Sequence, residues 1–152
     1  MSDHSKQISA LNKLITTLYD GENGYKEAAE EVDNASLATR FRTLSQQRYD
    51  FGHEIKPFIK QLGGDIDKGG SASAAIHRAW IDLKTALSGN DEAAVLNECV
   101  RGEESAVETY QDVIMNGDLS PAALTTVRRQ LDDITSSLAE MRRLSESYEH
   151  NS

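Results

Sequence analysis

Two glutamates stand on helical seams where apolar residues are expected. Glu22 interrupts the run Ile8, Leu11, Ile15, Leu18, Tyr25, Ala29, Val32, which advances in steps of three and four. Glu103 interrupts Leu96, Cys99, Ala106, Tyr110, Val113 in the same way. Each follows a glycine, Gly21 or Gly102, and each comes four residues after a core position, Leu18 or Cys99. A carboxylate on a buried stripe is costly unless it is paired, protonated or bound to metal. The chemistry to weigh is therefore metal ligation against an internal ion pair.

A dinuclear carboxylate centre in a helical bundle takes one Glu from each of two helices, and a Glu-x-x-His motif from each of the other two. Glu22 and Glu103 meet the first requirement, and Tyr110 lies two turns along the same face as Glu103. The second requirement is not met. The corresponding stretches read Gln47-Arg48-Tyr49-Asp50 and Gln130-Leu131-Asp132-Asp133. The candidate metal ligands are thus Glu22, Glu103, Gln47 and Gln130, two of them neutral amides, with iron or manganese as the ions such a set would take.

At about 100° per residue, Gln47 lies about 60° off its apolar face and Asp50 about 120° off. Arg48 lies within about 40° by the same count. An arginine on the core side predicts a metal-free replacement, a polar core network of Glu22, Arg48, Glu103 and Tyr110 bridged by Gln47 and Gln130. Glu22 and Glu103 are expected to approach each other, with Arg48 or Gln130 in reach. No cofactor is expected.

The elements that must hold these residues are all helical. The first helix is expected from about Asp3 to Val32. The second, capped by Ser36, carries Leu37, Phe41, Leu44, Arg48, Phe51, Ile55, Phe58 and Leu62, and ends at Gly63-Gly64. Pro57 inside it predicts a kink. A third, shorter helix over 71–88 is capped by Ser71. There His77 and Trp80 are read as packing residues rather than a catalytic pair, for want of a recognisable constellation. The fourth is expected from about Glu92 to Met115. The last starts at Ser120-Pro121, an N-cap followed by proline at the first helical position, and carries Leu124, Val127, Leu131, Ile134, Leu138 and Met141.

These elements repeat. Glu22 and Glu103 are 81 residues apart, and at an offset of 83 Phe41, Leu44, Phe51, Ile55 and Phe58 fall on Leu124, Val127, Ile134, Leu138 and Met141. The chain reads as one domain over 1–152: a hairpin over 3–63, a crossover helix over 71–88 and a second hairpin over 91–148. That is the connectivity of a ferritin-like antiparallel four-helix bundle with an extra helix in the crossover.

Specific stretches carry a resemblance. Asp20-Gly21-Glu22-Asn23-Gly24-Tyr25-Lys26-Glu27-Ala28-Ala29-Glu30, Gln47-Arg48, His77-Arg78-Ala79-Trp80-Ile81-Asp82-Leu83-Lys84, and Arg101-Gly102-Glu103-Glu104 with Tyr110 resemble a bacterial ferritin-like four-helix-bundle family of unknown function. The similarity runs from about Leu11 to Met141. It implies the fold and no activity.

The whole chain sets the remaining bounds. It has 152 residues, enough for one core, with 38% hydrophobic residues and a formal net charge of -9. That charge disfavours a nucleic-acid backbone as partner. One cysteine, Cys99, on an apolar seam, predicts no internal disulfide and a reducing, cytoplasmic setting. The polar start MSDHSKQ is not the apolar stretch of a signal peptide, and no run approaches a membrane span. Glu27, Glu30, Glu31, Glu98, Glu104 and Glu108 are expected to form a solvated acidic face. No phosphate loop, nucleophile–base pair or zinc spacing is present, so an enzyme is not the favoured reading. Three functions remain: a metal-free structural or stress-associated protein that self-associates or binds a protein partner, an iron- or manganese-binding oxidoreductase or iron-handling protein with a degenerate site, and a small-ligand binder using the polar centre.

Overall fold

The computed structural model describes residues 2–66 and 92–150, with side chains over 4–66 and 92–148. The expected crossover helix, with His77 and Trp80, lies outside the described residues. Those described form four helices and no strand: α1 (Ser2–Glu31), α2 (Ala35–Gln61), α3 (Glu92–Asn116) and α4 (Pro121–His150). None of the four is long and apolar enough to cross a membrane.

The caps follow from the local sequence. Asn34, not Ser36, caps α2: its side-chain oxygen accepts from the Leu37 N–H at 3.1 Å. The three-residue link therefore ends two residues earlier than Ser36 would allow, since either residue can supply the capping oxygen. Ser120 caps α4 as expected, its Oγ accepting from the Ala123 N–H at 3.3 Å. At the end of α2 the Gly63 N–H bonds the Lys60 carbonyl and the Gly64 N–H bonds the Ile59 carbonyl, both at 3.0 Å. This double closure requires the left-handed backbone that Gly63 adopts at φ 77°. α2 runs on through Pro57 to Gln61.

α1 packs on α2 and α3 on α4, and the two hairpins join through α1 against α3 and α2 against α4. At one end, Asn34 binds Glu92 and Tyr148. At the other, Gly64 lies against Ile8. Both hairpins are thus antiparallel. α2 and α3 run parallel across one diagonal, and α2 ends at the opposite end of the bundle from the start of α3.

The core is divided into two apolar clusters. One holds Tyr25, Ala28, Phe41, Leu44, Leu96, Cys99 and Met141. The other holds Leu11, Leu14, Leu18, Phe51, Ile55, Ala106, Val127 and Ile134. Each helix passes from one cluster to the other over seven residues, about two turns. On α1 that stretch contains Glu22, on α2 Arg48, on α3 Glu103 and on α4 Ser137. The sequence's seam-breaking residues therefore share one level of the bundle.

Candidate functional site

Arg48 occupies the middle of this level and is 1% exposed; Glu103 is 0% exposed. The two meet end to end. Arg48 Nη1 donates to Glu103 Oε1 at 2.5 Å and Nη2 donates to Oε2 at 2.8 Å. The fork of the guanidinium matches the carboxylate oxygens, the strongest geometry available to such a pair. Tyr25 adds a third bond, its hydroxyl donating to Glu103 Oε2 at 2.6 Å. Arg48 Nε donates to Gln47 Oε1 at 3.2 Å. The Arg48 carbon also lies 5.5 Å from the Tyr25 ring centre.

Gly21 lets the arginine through. A Cβ there would stand 3.4 Å from both Cγ and Nη1 of Arg48. The side chain thus crosses α1 at its glycine on the way from α2 to α3.

Burial by itself would lower the Arg48 pKa, but the Glu103 charge and hydrogen bonds more than reverse this and raise it. Burial, then the Glu103 charge, holds the Tyr25 hydroxyl far above its ordinary range. Burial likewise raises Tyr110 and the Cys99 thiol, with Glu103 adding to the latter. Cys99 is therefore an inert core residue at neutral pH, not a nucleophile.

A second polar group adjoins the first. Tyr110 donates to Gln130 Oε1 at 2.8 Å. The Gln130 amide nitrogen donates to the Phe51 carbonyl at 3.2 Å and to Glu54 Oε1 at 2.9 Å. Glu54 also takes Arg129 Nη2 at 2.6 Å. Tyr110 and Gln130 are fully buried, so both ends of the amide are satisfied inside protein.

Arg48 reaches one of the two glutamates, Glu103, as expected of at least one; the other is Glu22. It is half-buried at the same level, its carbonyl accepting from Ser45 Oγ at 2.8 Å. The forked bonds of Arg48 go to Glu103 instead. The repeat itself gives the physical reason: Tyr25, which caps Glu103, corresponds at an offset of 81 to Ala106, which has no hydroxyl to give Glu22. Burial raises the Glu22 pKa, partly offset by Lys26, Lys56 and His53. Gln47 is half-buried, Asp50 and Asp132 are exposed and Asp133 is half-buried. Among the described residues, no three His, Cys, Asp or Glu side chains converge as a metal site.

Some polar residues carry no sequence signal. Glu54 and Arg129 join the Gln130 network from exposed positions. Thr16, Thr17 and Asp20 are buried on faces of α1 away from its apolar seam, and Gln7 is buried beside that seam, four residues before Leu11. In the acidic set, Glu30, Glu104 and Glu108 are exposed, whereas Glu27, Glu31 and Glu98 are half-buried. Glu98 pairs with Arg101 and Glu104 with Arg142.

A family model described as a domain of unknown function, DUF2383, matches residues 6–116. That is most of the chain, and the chain belongs to this family. The match takes in α1, α2 and α3, so the Arg48–Glu103–Tyr25 cluster lies inside it and Gln130 on α4 lies beyond it. No curated protein and no solved structure matches the chain.

Proposed function

We propose that this member of the DUF2383 family is a metal-free bundle of ferritin-like type. It works as a structural or stress-associated protein through self-association or a protein partner. The carrying observation is the buried, forked Arg48–Glu103 pair with Tyr25 on the same carboxylate. The guanidinium supplies at that level the positive charge a metal centre would supply. The four candidate ligands fit a dinuclear centre poorly. Both oxygens of Glu103 are engaged, Gln47 Oε1 accepts from Arg48, and Gln130 is bound at both ends. A cation at Glu103 would have to displace Arg48 and leave a buried charge unpaired, which costs several kcal/mol.

The ferritin-like part of the reading is supported by two antiparallel hairpins, by parallel α2 and α3, and by the duplicated seams. The acidic composition and the buried lone thiol fit a reducing, cytoplasmic setting. A small-ligand binder using the polar centre of the bundle is disfavoured. The cavity beside Glu22 and Arg48 has a volume of about 10 Å³, against several hundred for typical ligand sites. An iron or manganese oxidoreductase keeps one observation in its favour, a second half-buried carboxylate, Glu22, at the level of Glu103.

Calorimetric titration of the full chain with ferrous and manganous ions, alongside its sedimentation mass, tests the proposal. It expects no stoichiometric binding. Two ions per chain, lost in a folded Glu22→Ala or Glu103→Ala chain, would move the protein to the oxidoreductase class.

A further inference from the structure

Two patches of opposite charge lie on different faces of the bundle. The chain is acidic as a whole, with a formal net charge of -9, yet a cleft on the first hairpin is basic. His53, Lys56 and Lys60 follow one another along one face of α2, and Tyr19, Pro57 and Ile66 supply apolar surface beside them. The cleft has a volume of about 660 Å³. The Lys56 ammonium lies 5.5 Å from the Tyr19 ring centre. Among the described residues, neither lysine enters a salt bridge. Half-buried Glu22 offsets part of the charge of Lys56 and His53.

The opposite patch is the outward face of α3. At about 100° per residue, Glu108, Asp112 and Met115 fall within about 60° of one another, on the side away from Glu103 and Tyr110. All three are exposed, Met115 by 82%. Among the described residues, no salt bridge holds either carboxylate. A single exposed methionine needs no explanation. Here it stands beside two carboxylates, as Tyr19 and Ile66 stand beside two ammonium groups. Glu108 and Asp112 are four residues apart, and so are Lys56 and Lys60. Each pair therefore spans about one helical turn, so the spacings match.

We propose that the cleft receives the α3 face of a second copy of the chain. Lys56 and Lys60 meet Glu108 and Asp112, and Met115 enters against Tyr19 and Ile66, where a flexible thioether packs well on an aromatic ring. This rests on the self-association reading above and names its surface. An unrelated acidic protein would use the cleft and leave the α3 face bare, whereas a second copy uses both. Cleft and patch lie on different helices, so the contact is heterologous and joins copies into a ring or an open chain.

Sedimentation equilibrium of the full chain from about 0.05 to 0.5 M salt tests this. Two charge-reversed variants accompany it, Lys56→Glu with Lys60→Glu, and Glu108→Lys with Asp112→Lys. Thermal unfolding checks that each is folded. The parent should associate, less so as salt rises. Each variant alone should associate at least about tenfold more weakly, since like charges then face each other. An equimolar mixture should regain the parent's affinity, because the acidic cleft of one variant meets the basic patch of the other. A parent that associates while both variants do so as tightly, or a mixture no tighter than its components, would overturn this contact and leave the self-association reading standing. A parent that stays monomeric would overturn both.

Discussion

Arg48 and Glu103 meet across the diagonal of the bundle, from the two parallel helices α2 and α3, with both side chains excluded from solvent. Their bond crosses between the hairpins at the level where the two apolar clusters part. It fixes the register of one hairpin on the other, because sliding either helix by a turn would bury a charge among leucines.

Arg48→Met should therefore destabilise the chain by about 3–5 kcal/mol, the usual cost of leaving one member of a buried pair without its partner. Arg48→Met combined with Glu103→Leu should recover most of that loss, since no charge is then stranded. Urea unfolding of the four chains of this cycle measures the coupling. A single-variant loss below about 1 kcal/mol would mean that the pair is solvated, as surface pairs are.

Tyr25 should reveal itself in alkali. Its folded pKa lies above the unfolded value of about 10, so the native chain holds its phenolic proton where the unfolded chain releases it. The resulting stability is fully present below about pH 10 and is lost as pH rises toward the folded value. Tyr110 adds to this in the same sense. Absorbance titration near 295 nm should show Tyr25→Phe and Tyr110→Phe each losing a phenol that ionises only as the chain unfolds. At neutral pH Tyr25→Phe should also cost about 1.5–3 kcal/mol, the range for a hydrogen bond to a charged group. A Tyr25 that titrates before unfolding would contradict its burial against Glu103.

Much of this geometry is legible in the residues. The three-and-four spacing gives the helices, Ser120-Pro121 and Gly63-Gly64 give two of their ends, and an arginine near an apolar face predicts the charge at the centre. The choice of partner is harder to read. The duplication suggests a symmetric site in which Glu22 and Glu103 are equivalent. Two differences break it: Tyr25 faces Glu103 while its counterpart Ala106 offers Glu22 nothing, and Arg48 passes Gly21 to reach the far helix. Glu54 and Arg129 could not be found by periodicity, since both are exposed residues whose role comes from tertiary contact with Gln130.

The end of α2 provides a local test. A Cβ on Gly64 would lie 2.7 Å from Ile8 Cγ2 and 2.9 Å from its Cδ1 and Cγ1, too close for the side chain to stay where it is. Gly64→Ala should destabilise by about 1–3 kcal/mol, the range for overpacking. Ile8→Ala should remove most of that penalty when the two are combined. Thermal unfolding of both singles and the double reports it, and additive effects would show that Ile8 does not pin this end of α1 to the loop.

Glu22 should respond to pH in the opposite sense to a salt-bridged carboxylate. Burial raises its pKa, while Lys26 on its own helix and Lys56 and His53 on α2 pull it partly back. Arg48 lines the same cavity. Between the unfolded value of about 4.3 and the higher folded value, the native chain binds more protons than the unfolded one. The slope of unfolding free energy with pH is therefore negative for this residue. Its contribution is fully present below the unfolded value and is lost as pH rises through the folded one. Glu22→Gln lacks this titration. The stability of the parent relative to Glu22→Gln should fall as pH rises from about 4 and then level off above the folded pKa. Urea midpoints taken on both chains from about pH 3.5 to 7 measure the difference. A relative stability that instead climbs over this range would show that Lys56, Lys26 and Arg48 outweigh desolvation, making Glu22 a second member of the ion pair.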